Sequence, residues 1–161
     1  MKAKLSQLTG STNYFEDFEV GSVMRHARGK TVTPLENVMT TNLVLNTADG
    51  HFNEHVMEAT TYGKILCYGG VNFSLVLGLA SQDCIENALA ELSLDNIRLS
   101  GPVFHGDTLY AYSEVLSKED SDQEDAGIVE FRHYGVNQRD ELIAQVDRRA
   151  LIKRRSHWAD K

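Results

Sequence analysis

Val71-Asn-Phe-Ser-Leu-Val-Leu-Gly-Leu-Ala-Ser-Gln-Asp-Cys-Ile-Glu-Asn-Ala-Leu89 is the strongest helical run in the chain. Up to Ala80 it is apolar on nearly every face, and Gly78 and Ala80 are small enough to let a neighbour pack closely. A helix that is apolar all round is normally wrapped by other elements. Four strand-like stretches follow it, at about 92–99, 107–117, 127–137 and 141–152. Ile128-Val-Glu-Phe-Arg-His-Tyr134 alternates, so one side of the sheet faces the helix. Val136-Asn-Gln-Arg-Asp-Glu-Leu142 reads as the hairpin turn between the last two strands.

Ahead of the helix, residues 14–21 (YFEDFEVG) read as an aromatic-anchored entry ending in a glycine turn, and Val23 to Val32 as a strand. Thr33-Pro34-Leu35-Glu36 then has the signature of a helix start, with Thr33 as N-cap, Pro34 at the first helical position and Glu36 closing a capping box. Leu35, Val38, Met39, Leu43 and Leu45 follow at roughly helical spacing, and the helix is expected to stop near Asn46. One strand, a polar loop, a buried helix and a run of antiparallel strands describe an α+β domain whose sheet curls round the helix. With no internal repeat and no linker, residues 1–161 are expected to form a single domain, with 1–13 as an N-terminal extension and 154–161 as a C-terminal tail.

Composition bounds the function. A net charge of −7 argues against nucleic acid as a partner, because phosphate contacts need a dominant Lys/Arg face. No run approaches ~20 apolar residues and the first residues lack an apolar targeting core, so a cytoplasmic protein with no membrane partner is expected. Cys67 and Cys84 sit in apolar surroundings and read as buried free thiols. Without suitable histidine spacing they make no zinc site, and no metal is expected. The acidic stretch Lys118 to Asp125 reads as a solvated loop that lacks the ligand order of a calcium site.

Between the two helices lies the chemistry. Asn46-Thr-Ala-Asp-Gly-His-Phe-Asn53 places an amide, a carboxylate and an imidazole within six positions. Thr60-Thr-Tyr-Gly-Lys-Ile-Leu-Cys-Tyr-Gly-Gly70 then leads straight into the apolar helix. Groups able to hold or deprotonate a water, followed by backbone donors beside a helix start, fit acid–base chemistry on a carbonyl compound. His51 is the candidate base, with a hydrogen-bonded loop histidine as its plainer reading and His55 as its rival. Asn46 reads equally as a helix-terminal residue, and Asp49 as a turn residue. Gly69 and Gly70 let a carbonyl approach a backbone N–H, or merely punctuate the helix entry. Tyr62 and Tyr68 line an acyl pocket or pack in the core. Asn72 and Ser74 read as helix caps, and His105, in its Gly-flanked turn, as structural or dimer-facing. Lys153-Arg154-Arg155 is either a solvated end or, through Arg154, a phosphate contact. Trp158 docks on a partner subunit or lies free.

These residues resemble the hot-dog fold, and within it the MaoC-like dehydratase and R-specific enoyl-CoA hydratase family. That family carries an Asp, four residues, then a His, in a segment like GDxNPxH. Asn46 and His51 occupy those two positions without a gap to Tyr62-Gly63 and Gly69. Pro102-Val-Phe-His-Gly-Asp107, and Gly127-Ile-Val-Glu-Phe-Arg-His133 through Asn137-Gln138, resemble a branch acting on mesaconyl-CoA and itaconyl-CoA. The likeness spans roughly residues 14–153. It implies a hydro-lyase adding water to an α,β-unsaturated acyl-CoA. His51, Asn46, Asp49 and Gly69 would be catalytic, and Tyr62, Tyr68, Gly70 and Arg154 would bind substrate. It implies no cofactor beyond the coenzyme A of the substrate, and a homodimer or a homo-oligomer of dimers. Two departures stand out: Asn46 replaces the Asp, and Asp49 the usual Pro. An amide cannot take a proton at neutral pH, so the base role moves to His51. Asp49 then orients that ring or replaces the missing carboxylate from another angle. The alternatives are a hot-dog thioesterase, whose water attacks the thioester carbon, and a non-catalytic acyl-CoA-binding protein.

Overall fold

The structure, a computed structural model, describes residues 13–159. Its strands are β1 (Val23–Thr31), β2 (Ala88–Leu99), β3 (Thr108–Asp120), β4 (Ala126–Val136) and β5 (Leu142–Lys153). Its helices are α1 (Pro34–Leu43), α2 (Glu54–Glu58), α3 (Gly69–Cys84) and α4 (Arg155–Trp158), with 3₁₀ turns at Phe15–Asp17 and Asp49–His51. The strands form one antiparallel sheet in the order β1-β3-β4-β5-β2, and α3 lies across it, touching every strand.

Alternation decides which side of the sheet meets the helix. In β4, Val129, Phe131 and His133 are buried while the residues between them face the other way. Phe131 takes Phe18 edge-on at 5.0 Å, so the entry segment closes one end of the core. Burying a ring of this size contributes roughly 2–3 kcal/mol. At Gly135 a Cβ would collide with the Val76 side chain, so the glycine sets how closely α3 approaches the sheet. The Asn137 side chain accepts from the Arg139 and Glu141 N–H groups and closes the β4–β5 hairpin.

The α1 start is as expected. The Thr33 hydroxyl accepts from the Glu36 N–H at 3.4 Å, and the Glu36 carboxylate accepts from the Thr33 N–H at 2.9 Å. The helix ends at Leu43, short of Asn46. Its spacing misleads about orientation: Leu35, Met39 and Leu43 are exposed, whereas Asn37 and Thr41 are fully buried. The inward face of α1 is polar because it holds loops by hydrogen bonds rather than by apolar packing.

Three boundaries differ from the sequence reading. The apolar run after Gly70 leaves the helix at Cys84, and its last residues already belong to β2. Strand β3 continues through Lys118–Asp120, leaving only Ser121–Asp125 as the acidic loop. Pairing explains the extension: Lys118, Glu119 and Asp120 lie opposite Val129, Ile128 and Gly127. Expected tail residues are also engaged, for Trp158 donates to Asp125 of its own chain at 3.1 Å. The N-terminal extension lies outside the described residues except for Asn13. Among the described residues no helix is long and apolar enough to cross a membrane.

Candidate active site

The start of α3 and the 3₁₀ turn at Asp49–His51 meet in a cavity of about 330 Å³. Its wall includes His51, Tyr62, Cys67, Gly69, Asn72 and the bend Leu99–Val103 that joins β2 to β3. A pocket of this size sits at the small end of ligand sites.

The His51 ring is fixed by its backbone surroundings. Nδ1 lies 2.9 Å from the Leu66 carbonyl oxygen, which can only accept. In the neutral ring Nδ1 therefore carries the hydrogen and Nε2 keeps the lone pair, and the residue lines the cavity. The Leu66 N–H reciprocates by bonding Gly50 O at 3.0 Å, and Tyr68 stands edge-on to the imidazole at 5.5 Å.

Gly69 is the first residue of α3, so its N–H has no carbonyl within the helix to bond. Among the described residues no other hydrogen bond engages it, and the sixteen-residue helix behind it presents its positive end there. A Cβ at Gly69 would run into the Leu99 side chain, which forms the facing wall. Burial pushes the Cys67 thiol up to about 12, which keeps it a neutral wall group at ordinary pH.

Asn37 of α1 ties the parts together, a role that the sequence reading missed. Its Oδ1 accepts from the Tyr68 N–H at 2.8 Å. Its Nδ2 donates to His105 Nε2 at 3.0 Å and to the His51 carbonyl at 3.4 Å. One buried amide thus holds the turn carrying His51 and the residue preceding Gly69. Burial lowers the pKa of His105, consistent with an Nε2 that accepts. No spacing rule could have found Asn37, because its partners lie 14, 31 and 68 residues away.

The expected site residues separate into two groups. His51, Gly69 and Tyr62 share the cavity wall. Tyr68 and Gly70 flank Gly69 without lining the cavity; a Cβ at Gly70 would meet the Tyr68 ring. Asn46 and Asp49 do not lie on the wall. The Asn46 Oδ1 accepts from the Ala48 N–H at 3.0 Å, a local turn, and Asp49 is exposed. The rival base His55 sits exposed on α2.

Arg154 lies elsewhere altogether. It follows the last residue of β5, whereas the cavity adjoins the strand's first residues through the Ser100 N–H bond to Ile143 O. Twelve strand residues put these ends roughly 35 Å apart. The Arg154 guanidinium is paired with Asp120, donates to Ala126 O and covers the Phe15 ring, so within this chain it is a structural group.

The side chain of Asn72, expected to cap α3, makes no hydrogen bond to any described residue, while its backbone N–H donates to Tyr68 O at 3.2 Å; Ser74 is exposed. Asn72 is nonetheless on the cavity wall with only 4% of its surface exposed.

At the other end of α3 the fold gathers His26, Cys84 and His133, whose ligand atoms lie within 4.8 Å of one another. The Ser113 hydroxyl bonds both rings at 2.6 Å, and Asp83 holds His26 Nδ1 at 2.5 Å. These mutual bonds give the cluster a structural reason to exist. Burial, which pushes the Cys84 thiol up to about 12, disfavours the thiolate that a metal would take.

Comparison with known proteins gives the family and the fold. Over 109 residues (68% of the chain and 31% of the relative) the sequence is 39% identical to beta-methylmalyl-CoA dehydratase of Chloroflexus aurantiacus. Over 157 residues (88% of the chain and 42% of the relative) it is 32% identical to mesaconyl-CoA hydratase of Haloarcula marismortui. The chain thus spans less than half the length of these curated relatives. A MaoC domain protein dehydratase of solved structure, also from Chloroflexus aurantiacus, superposes with a TM-score of 0.85 at 30% identity, covering 95% of this chain and 48% of that one. The architecture is that of the hot-dog fold. With the mesaconyl-CoA hydratase family model matching residues 5–154, the chain belongs to that family.

Proposed function

We propose that this protein adds water to, or removes it from, an α,β-unsaturated acyl-CoA of the mesaconyl-CoA type. The observation that carries this reading is the pairing of two groups on one small cavity. His51 Nε2 is held open by the Nδ1–Leu66 bond, and the Gly69 N–H is unbonded at the positive end of α3.

The chemistry follows from these groups. As a water oxygen bonds to the β-carbon, His51 Nε2 takes the water proton. The electron pair of the double bond moves through the α-carbon to the thioester oxygen, which faces the Gly69 N–H and the helix end. The imidazolium then returns its proton to the α-carbon, closing the balance without a redox change. The thioester supplies the acidity of the α-carbon, so coenzyme A, as part of the substrate, is the one accessory group that this reaction calls for.

The proposal includes a homodimer. Strand β2 is an edge of the sheet, and Leu89, Leu92, Ile97 and Leu99 are exposed along it, Leu99 reaching the cavity wall. An exposed apolar edge invites another strand. Two buried free thiols suit a reducing compartment, and the expected location remains the cytoplasm.

The test is loss of enoyl absorbance with mesaconyl-CoA and crotonyl-CoA, together with thiol release. Hydration consumes the double bond without freeing thiol, whereas a thioesterase frees it. Asn37, Leu66 and Gly69 stay in place in His51→Ala, so hydration by that variant at the wild-type rate would reject the assignment.

A further inference from the structure

An oxyanion site built from one backbone N–H is half of the usual arrangement, since developing charge is generally met by more than one donor. The remaining donor is to be sought on the same wall. Asn72 lies three residues after Gly69, and residues at i and i+3 share a helix face. Helical side chains lean toward the N-terminus, so the Asn72 amide hangs over the turn that contains Gly69. Both residues line the cavity.

The bonding state of Asn72 makes it more than a wall residue. It is more than nine-tenths buried, yet its amide has no hydrogen bond to any described residue. Its Oδ1 is sealed from solvent and unpartnered, so the polar end turned to the cavity is Nδ2. Buried amides left without partners are uncommon and unfavourable. A leucine of similar volume would fit the same place without that cost. The capping role that would explain an asparagine here is unfulfilled, because neither end bonds a helix N–H.

We propose that the Asn72 side-chain amide is the second donor of the oxyanion site, meeting the thioester oxygen together with the Gly69 N–H. This rests on the hydratase reading above. With Nδ2 toward the cavity, an anion developing at Gly69 meets a second donor already in place. The enolate oxygen of the adduct then accepts from a backbone donor and a side-chain donor in the same helical turn, and both strengthen as charge builds.

The test is Asn72→Leu, assayed for hydration of crotonyl-CoA and mesaconyl-CoA and for thermal stability. The expected result is a kcat lower by about a hundredfold on both thioesters, with KM changed by less than about threefold. The melting temperature is expected to hold or rise, because no hydrogen bond is removed. A residue that serves only the fold would lower stability and activity together. Asn72→Asp, which keeps the shape and turns negative charge toward the enolate, is expected to fall further. It also carries the test if the leucine variant does not fold. A kcat within about threefold of wild type on both substrates overturns the proposal. A loss confined to mesaconyl-CoA also overturns it, by assigning Asn72 to the acyl carboxylate instead. A wild-type protein that hydrates neither thioester rejects the hydratase reading and this assignment with it, whereas an active wild type beside an equally active Asn72→Leu rejects only the assignment.

Discussion

His51 donates from Nδ1 to the carbonyl oxygen of Leu66 at 2.9 Å, and this single bond determines which nitrogen of the neutral ring keeps its lone pair. A backbone carbonyl cannot be titrated or mutated away, so the tautomer is set by the course of the chain. Removing the imidazole while leaving Asn46 intact therefore separates the two candidate groups. His51→Ala is expected to lose about 10²–10⁴-fold in kcat. Asn46→Ala, whose side-chain oxygen only closes a turn onto Ala48, is expected to lose less than about tenfold. Steady-state hydration assays on the two variants check the order, and equal losses would return Asn46 to the reacting water.

Asn37 offers a test of positioning. Asn37→Leu leaves the Tyr68 N–H without its acceptor in a buried setting, at a cost of about 1–3 kcal/mol. It also releases the 3.4 Å tie to the His51 carbonyl, so kcat should fall more than KM rises. Urea unfolding and steady-state kinetics measured together check both effects; a variant as stable as the wild type would show that Asn37 is dispensable.

His133 gives the fold a defined acid sensitivity. It is fully buried, and burial, aided by the charge of Arg148, pushes its pKa from 6.5 down to about 3. The unfolded chain binds a proton there below pH 6.5, whereas the folded chain resists it until about pH 3. Stability should therefore fall as pH drops through that window, by up to about 1.4 kcal/mol per pH unit from this one proton. His133→Phe, placed beside the Phe131 ring on which the imidazole stacks, should flatten the slope by one proton. Denaturant midpoints between pH 7 and 4 read it out.

Arg154 should matter to the fold and not to the substrate. Its partner Asp120 is exposed, so Arg154→Ala is expected to cost about 0.5–1 kcal/mol. KM for the thioester should stay within about twofold. A large rise in KM would mean that coenzyme A reaches this end of the sheet from a second subunit.

The β2 edge supplies the last test. Leu92→Lys sets a charge on an exposed apolar edge and should shift the protein toward monomer in size-exclusion chromatography with light scattering. An unchanged mass would place the partner elsewhere, the exposed stripe Leu35, Met39 and Leu43 of α1 being the next candidate.

Sequence patterns fixed by neighbours along the chain were legible. The Thr33–Glu36 capping box, the β4 alternation and the Val136–Leu142 hairpin depend on residues a few positions apart, and each is present. Periodicity did not tell where the apolar side of an element is turned away from the sheet. In α1 the apolar spacing reports amphipathicity, not which face is turned inward. The end of α3 was overrun because the apolar residues of an edge strand continue its composition without a break.

By itself, then, the sequence determined the order of the strands and of the two longer helices, and it singled out His51 and Gly69, which line the cavity; the family followed from its resemblance to known sequences. The elements and the two residues follow from local spacing and side-chain type. Only the tertiary structure decided that Asn46 turns onto Ala48 and that Arg154 stands at the far end of β5. It also decided that Asn37 binds three distant segments and that Asn72 reaches the cavity unpartnered. Hydrogen bonds are short and directional, so their partners are chosen by how the sheet brings remote residues within about 3 Å, and no local pattern records that.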